Sequence, residues 1–490
     1  MSTDQSRVES GALGSKAARG GQILAAGTVV ERLARLGRNM LLARIIVPDD
    51  FALMAITLST IAVFGAITEV GVAQAVIQNK RGNTPEFLNV AWWFGVLRGV
   101  LVGVMAALLA GPIASFYEEP LLRQLLLVAP LTIVFTSLAS PRIYALQRQF
   151  RFGATLWTTQ GAGVLGTLAT IVLGIILQNV WALVLGAIFE AFARFVLSFV
   201  LCPIRPRFQL EAQSRRDLFR FTTGMVGLPV LTLLIMQADV FVLAKVVTTE
   251  QLGYYALAIA FAGFPLGIFS KVVQPLVVPT MAIFQHDNPG MQATVLRLSR
   301  LVWLFGLPLT TVMGIASVPL LSLVYGPDYA QAAPAFALYC LFCTIYMASM
   351  VSFSVYLAIG RPELQRRFTI VRAIIVLAIL YPLSVALGTA GAALTLVVGM
   401  AVAMVVQLFN LKRVIGLGVG SYLGTMRLGL GIALLVAVPS ALVVWFVPLP
   451  DWGHALACAF LGGITWALLL LRERRTLKAL GAAAARGKGE

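Results

Sequence analysis

Ala43-Arg-Ile-Ile-Val-Pro-Asp-Asp-Phe-Ala-Leu-Met-Ala-Ile56 forms the join between two long apolar stretches, residues 20–46 and 51–77. Each is long enough to cross a hydrocarbon layer, because about 20 helical residues cover about 30 Å. The first stretch carries Glu31, Arg32, Arg35 and Arg38 in its middle, and the second carries only Glu69. The join recurs some two hundred residues later. Ala244-Lys-Val-Val-Thr-Thr-Glu-Gln-Leu-Gly-Tyr-Tyr-Ala-Leu257 aligns on it without a gap, basic on basic, acidic on acidic and apolar on apolar. Composition alone yields apolar hairpins readily but matched offsets within a turn much less so. The spacing therefore predicts a duplicated membrane unit.

The rest of the chain extends this reading. Of 490 residues, 59% are hydrophobic and only 12% are charged, about half the charge of an ordinary soluble domain. Long uncharged runs recur throughout, which predicts an all-α polytopic membrane protein. Fourteen transmembrane helices are expected, at about 20–46, 51–77, 87–114, 121–146, 153–177, 180–201, 217–246, 252–283, 297–324, 332–360, 368–388, 390–411, 426–447 and 452–471. The tight joins near Gln178 and Gly388 are the least obvious divisions. The first nineteen residues are polar and hold no apolar secretory core, so the first span is expected to direct insertion.

Loop charge orients the chain. On the N-terminal side the connections hold Lys80 and Arg81, Arg148 and Arg151, Arg205 to Arg216, Arg361 to Arg367, then Lys412 and Arg413, followed by a basic tail. The opposite connections, such as Pro48-Asp49-Asp50, Glu118-Glu119-Pro120 and Gly326-Pro327-Asp328, are short and acidic. Basic short loops stay in the cytoplasm, so both termini are expected there. The net charge of +17 is thereby assigned to membrane topology rather than to nucleic acid. The expected organisation is a cytoplasmic tail 1–19, an N-lobe 20–201, a basic linker 202–216, a C-lobe 217–411, two additional helices 412–471 and a basic tail 472–490. Six helices per lobe make the repeats parallel.

Ionisable groups inside spans are expensive unless they face water or find a partner. Glu31, Arg35 and Arg38 are four and three residues apart, which places them in one helical stripe with Arg32 at its edge. One carboxylate cannot balance three arginines. The excess positive charge suits a phosphate, for which the guanidinium fork is well matched; a packed charge cluster joining helices is the competing account. Arg98, deep in the third span, is either a cavity residue or a partner of Glu69. Glu190 and Arg194, one turn apart, are expected to satisfy each other. Asp239 is a candidate partner of Lys271 or a cation-binding group. Arg142 and Arg372 lie near span ends, where arginine snorkels to headgroups. The prolines of the seventh to ninth and eleventh spans permit bends.

Several site classes have little support. His286 and His454 are far apart and give no metal-ligand spacing. Cys340-Leu-Phe-Cys343 lies in an apolar span and reads as packing. There is no GxxxxGK loop, and the acidic-side loops are too short for a glycosyltransferase or ligase domain. No catalytic residue and no cofactor is assigned. Coupling to a proton or sodium gradient, through Asp239 or Glu69, is left open.

The residues also carry a family resemblance. The segment Leu42–Ala55 resembles the first hairpin of polysaccharide exporters in the multidrug/oligosaccharidyl-lipid/polysaccharide superfamily. Glu69-Val-Gly-Val-Ala-Gln-Ala-Val-Ile-Gln78 resembles the end of their second helix, with Glu69 in place of the usual Asp. The Phe116–Pro120 turn and the Arg148–Phe152 connection also fit. The resemblance implies a MATE-like fold of two six-helix lobes around a central cavity, plus two C-terminal helices. It implies a flippase that moves undecaprenyl-diphosphate-linked oligosaccharide across a bacterial inner membrane, with Arg35, Arg38 and Arg98 placed by position as diphosphate ligands. Membrane lipids, a polymerase and a chain-length-control protein are the expected partners. A drug antiporter on the same fold and a noncatalytic scaffold of a glycan assembly complex are the alternatives.

Overall fold

Proline and capping residues set where the helices begin. Pro48, Pro85 and Pro120 each open a helix at a position where the missing N–H costs nothing. Thr84 and Asn179 accept hydrogen bonds from Phe87 N and Trp181 N and so cap the helices that follow. The computed structural model describes residues 26–68, 71–79, 81–148, 152–208, 211–223, 228–273, 277, 280–281, 284–361 and 363–473. Among these, the regular elements are helices.

Those used below are α1 (26–42), α2 (Pro48–Ile67), α3 (Pro85–Tyr117), α4 (Ala162–Leu177), α5 (Val180–Leu201), α6 (Leu228–Val246), α7 (Asn288–Ile315), α8 (Ala333–Ala358), α9 (Leu364–Ile415), α10 (Met426–Phe446) and α11 (Asp451–Arg472). Ten described helical stretches are long and apolar enough to cross a membrane, and an eleventh is the pair Thr249–Ala262 and Phe264–Lys271, bent by 48°. That is fewer than the fourteen expected. Part of the difference lies in α9, which counts once although it turns at Gly388 (φ 58°). Gln178, also left-handed at φ 50°, ends α4, so both of the least obvious joins are breaks in the chain's helical course. Large apolar side chains face outward, including Leu108 (71% exposed), Ile176 (69%) and Trp445 (77%). Such a surface needs lipid around it. This is a multi-pass membrane protein.

Contact density divides the chain into two compact units after Gly253. In the N-terminal unit α6 packs on α2, where Gln237 Nε2 donates to Ser59 Oγ at 3.0 Å. Lys245 reaches Glu118 at 2.7 Å, and Thr249 reaches Glu119 at 3.4 Å. Arg207 and Glu211 are tied down by Arg81 to Glu211 at 2.6 Å, Arg207 N to Asn89 at 2.7 Å and Trp93 Nε1 to Arg207 O at 2.9 Å. The C-terminal unit is organised around a core that includes Trp303, Tyr356, Met404 and Tyr422 from α7, α8, α9 and the short helix Val419–Gly424.

Candidate functional site

Among the described residues, the densest set of ion pairs lies in the N-terminal unit, on α1 and α5. Glu31 and Arg35 are one turn apart on α1, and Glu190 and Arg194 are one turn apart on α5. Helical spacing puts each pair on one face. The structure joins the two pairs. Arg35 Nε donates to Glu31 Oε1 at 3.1 Å, and Arg35 Nη2 donates to Glu190 Oε1 at 2.6 Å. Arg194 stands 3.7 Å from the same Glu190 oxygen, so the carboxylate's shorter contact is with Arg35 rather than with its own helical neighbour.

Helix α4 makes this approach possible. A Cβ on Gly163 would sit 3.0 Å from the Glu31 carboxyl carbon, and one on Gly166 would sit 2.4 Å from Glu190 Cβ. Hydrogen atoms at these positions let both acidic side chains lie against α4. The polar strip continues to Gln160, whose Nε2 donates to Thr28 Oγ1 at 3.3 Å from a π-helical turn, Trp157–Gly161. π turns inside α-helices recur at functional positions. Thr28 and Gln160 were not singled out from sequence. The polar triplet Thr158-Thr159-Gln160 within an apolar span was the available signal.

In this cluster two carboxylates, Glu31 and Glu190, face two guanidinium groups, Arg35 and Arg194. Arg35 is therefore shared between two acids. The other sequence candidates lie elsewhere. Arg38 directs Nε and Nη2 to Asn39 Oδ1, at 3.1 and 3.0 Å. Arg98 donates from Nη2 to the Gly65 carbonyl at 3.0 Å, linking α3 to α2. Arg32 is half-buried on α1. Arg142 donates to the Pro203 carbonyl at 2.8 Å at an exposed helix end. Asp239 is buried on α6, whereas Lys271 is exposed on a second π turn, Phe269–Val273, in the C-terminal unit. Glu69 lies outside the described residues.

Arg372 corrects an expectation. Rather than snorkelling, it is only 3% exposed. Its guanidinium lies 5.5 Å from the ring centroids of both Phe342 and Tyr346, which stack on each other along α8. The aromatic faces offer a cation a more favourable site than its place near a helix end implies.

A profile of the family described as "Polysaccharide biosynthesis protein" matches residues 41–334, more than half of the chain. The chain belongs to that family. A Klebsiella pneumoniae membrane protein of the cps region is 23% identical over 79% of this chain and 80% of its own length. The lipopolysaccharide biosynthesis protein WzxC of Escherichia coli is 22% identical over 73% of each chain. Among solved structures, the inward closed conformation of the lipid II flippase MurJ superposes with a TM-score of 0.73, covering 93% of this chain and 99% of that one at 14% identity. The fold is thus shared with MurJ and with a MATE-family transporter, which superposes with a TM-score of 0.62 at 15% identity. The family places the chain among the proteins of polysaccharide biosynthesis.

Proposed function

We propose that the protein flips undecaprenyl-diphosphate-linked oligosaccharide repeat units, by alternating access, across a bacterial inner membrane in the synthesis of exopolysaccharide, capsule or O-antigen. Both termini are cytoplasmic on this reading. The supporting observation is the cation excess deep in the N-terminal unit. Among the described residues, Arg32, Arg35 and Arg38 on α1, Arg98 in the middle of α3 and Arg194 on α5 outnumber Glu31, Glu190 and Asp239, the acids within the same unit's helices at that depth. A diphosphate is the group such an excess suits, whereas cationic drugs would need the opposite sign.

The arginine roles divide. Arg38 and Arg98 bind the diphosphate oxygens. Arg35, held by Glu31 and Glu190, supports α1 and adds its field to the site. No covalent step is needed; the cargo crosses as the protein exchanges between its two openings. Buried Asp239 is the group we assign to coupling with a proton or sodium gradient.

The test is flipping of a fluorescent lipid-diphosphate oligosaccharide by purified protein in sealed vesicles, paired with equilibrium binding. An arginine bound to phosphate contributes about 1.5–3 kcal/mol. Arg38→Gln and Arg98→Gln should therefore each weaken binding by about tenfold to a hundredfold. Arg38→Lys should fall between Gln and the parent, because it keeps charge and loses the fork. Unchanged affinity in both Gln variants would remove these residues from the site. Absence of flipping by the parent protein would sink the transport reading and favour a scaffold.

A further inference from the structure

Helices α10 and α11 lie outside the duplication, and the transport reading gives them no task. Where their ends meet α7 there is a cavity of about 430 Å³ within the C-terminal unit. Its charged lining is Arg297 and Arg300 of α7, Arg427 of α10, and Glu473 just beyond α11. The hydroxyl-bearing residues Ser421 and Thr425 flank it. The wall they belong to is anchored, because Tyr422 between them is fully buried in the Trp303 core.

The charge of this cavity is unbalanced. Arg300 lies 3.4 Å from the Glu473 carboxylate. Arg297 and Arg427 make no ion pair among the described residues. Three arginines against one carboxylate leave a net charge of +2 around a small concavity. Low-dielectric walls focus such a field, and an anion entering the cavity relieves the repulsion.

The cavity's depth indicates where that anion comes from. Arg427 is the second residue of α10, and Glu473 follows the last residue of α11, so both mark ends of spans. Within two turns of these ends, Leu430 and Leu434 of α10 and Leu468 and Leu471 of α11 are exposed. A ligand with a phosphate at the span ends and apolar chains alongside those leucines matches both features. A free phosphate uses only the first.

We propose that this cavity holds the phosphate headgroup of an anionic phospholipid from the leaflet on the arginine-rich face. Basic pockets between membrane helices on the cytoplasmic side take such headgroups. The arginine forks bind the phosphate oxygens while the acyl chains lie on α10 and α11. This inference is independent of the transported cargo.

The test uses full-length protein in neutral detergent, titrated with phosphatidylglycerol or phosphatidylcholine and read by native mass spectrometry. Phosphatidylglycerol should bind at least tenfold more tightly. Each arginine lost should weaken it about fivefold, so Arg297→Gln/Arg300→Gln/Arg427→Gln should lose most of the selectivity. A control triple, Arg205→Gln/Arg366→Gln/Arg367→Gln, removes the same charge elsewhere and should bind within twofold of the parent. If the first triple variant does not purify as a monodisperse species, Arg427→Gln alone carries the test, with the fivefold loss expected. Glycerol phosphate at millimolar concentration should not displace the lipid. Equal binding of the two lipids, equal loss in the control triple, unchanged affinity in Arg427→Gln, or displacement by glycerol phosphate would each overturn the proposal.

Discussion

Arg35→Gln tests whether the α1–α5 cluster is a structural clamp. The substitution keeps much of the side chain and removes the charge shared by Glu31 and Glu190. Those acids have side chains only 8% and 16% exposed, so both would be left in a poorly solvated position. Breaking a buried ion pair typically costs about 3–5 kcal/mol. Arg35 itself is 29% exposed, and Arg194 remains 3.7 Å from Glu190. Both facts reduce the cost, to on the order of 2–3 kcal/mol. Thermal unfolding of the purified protein should shift down by several degrees. Glu190→Gln made in the Arg35→Gln background should then cost less than it does in the parent, because the stranded charge is gone. A coupling of about 1–2 kcal/mol is expected from the double-mutant cycle. Additive losses, or an Arg35→Gln protein as stable as the parent, would refute the clamp. In the second case a loss of lipid-diphosphate binding would instead make Arg35 a direct ligand.

Three further outcomes follow from the geometry. Gly166→Val should drive α4 away from Glu190 and destabilise the N-terminal unit by about 1–3 kcal/mol, measured as a lowered unfolding midpoint; an unchanged midpoint would mean that the helices part freely. Single cysteines replacing Asp49, Glu119 and Asp328 should react with an impermeant thiol reagent from the periplasmic side, whereas one replacing Arg367 should be protected; the reverse pattern would invert the topology. The Ser214 hydroxyl and the Arg81 guanidinium hold the Glu211 carboxyl below the usual carboxylate range. Because the folded value is depressed, the stabilisation from this contact is present above the unfolded value, about pH 4.3, and fades as pH falls through the lower folded value. The midpoint difference between parent and Glu211→Gln should therefore shrink at low pH, and a difference that persists there would argue against the assignment.

Sequence alone established the membrane class, because spans are long, local and apolar, and each is recognisable without its neighbours. It also established the angular placement of Glu31 with Arg35 and of Glu190 with Arg194, since one helical turn brings residues four apart onto one face. The breaks at Gln178 and Gly388 were legible as joins between spans, and their left-handed backbone supplies the conformational detail. The contact between Arg35 and Glu190, 155 residues apart, was not legible. It depends on how closely α1 and α5 approach across α4, and the bare faces of Gly163 and Gly166 set that approach. The same holds for Arg372, whose position near a helix end suggested headgroups until α8 supplied two aromatic faces. Spacing along a helix decides which side chains share a face. What that face meets is decided by packing between segments distant in the chain, and only the tertiary structure contains it.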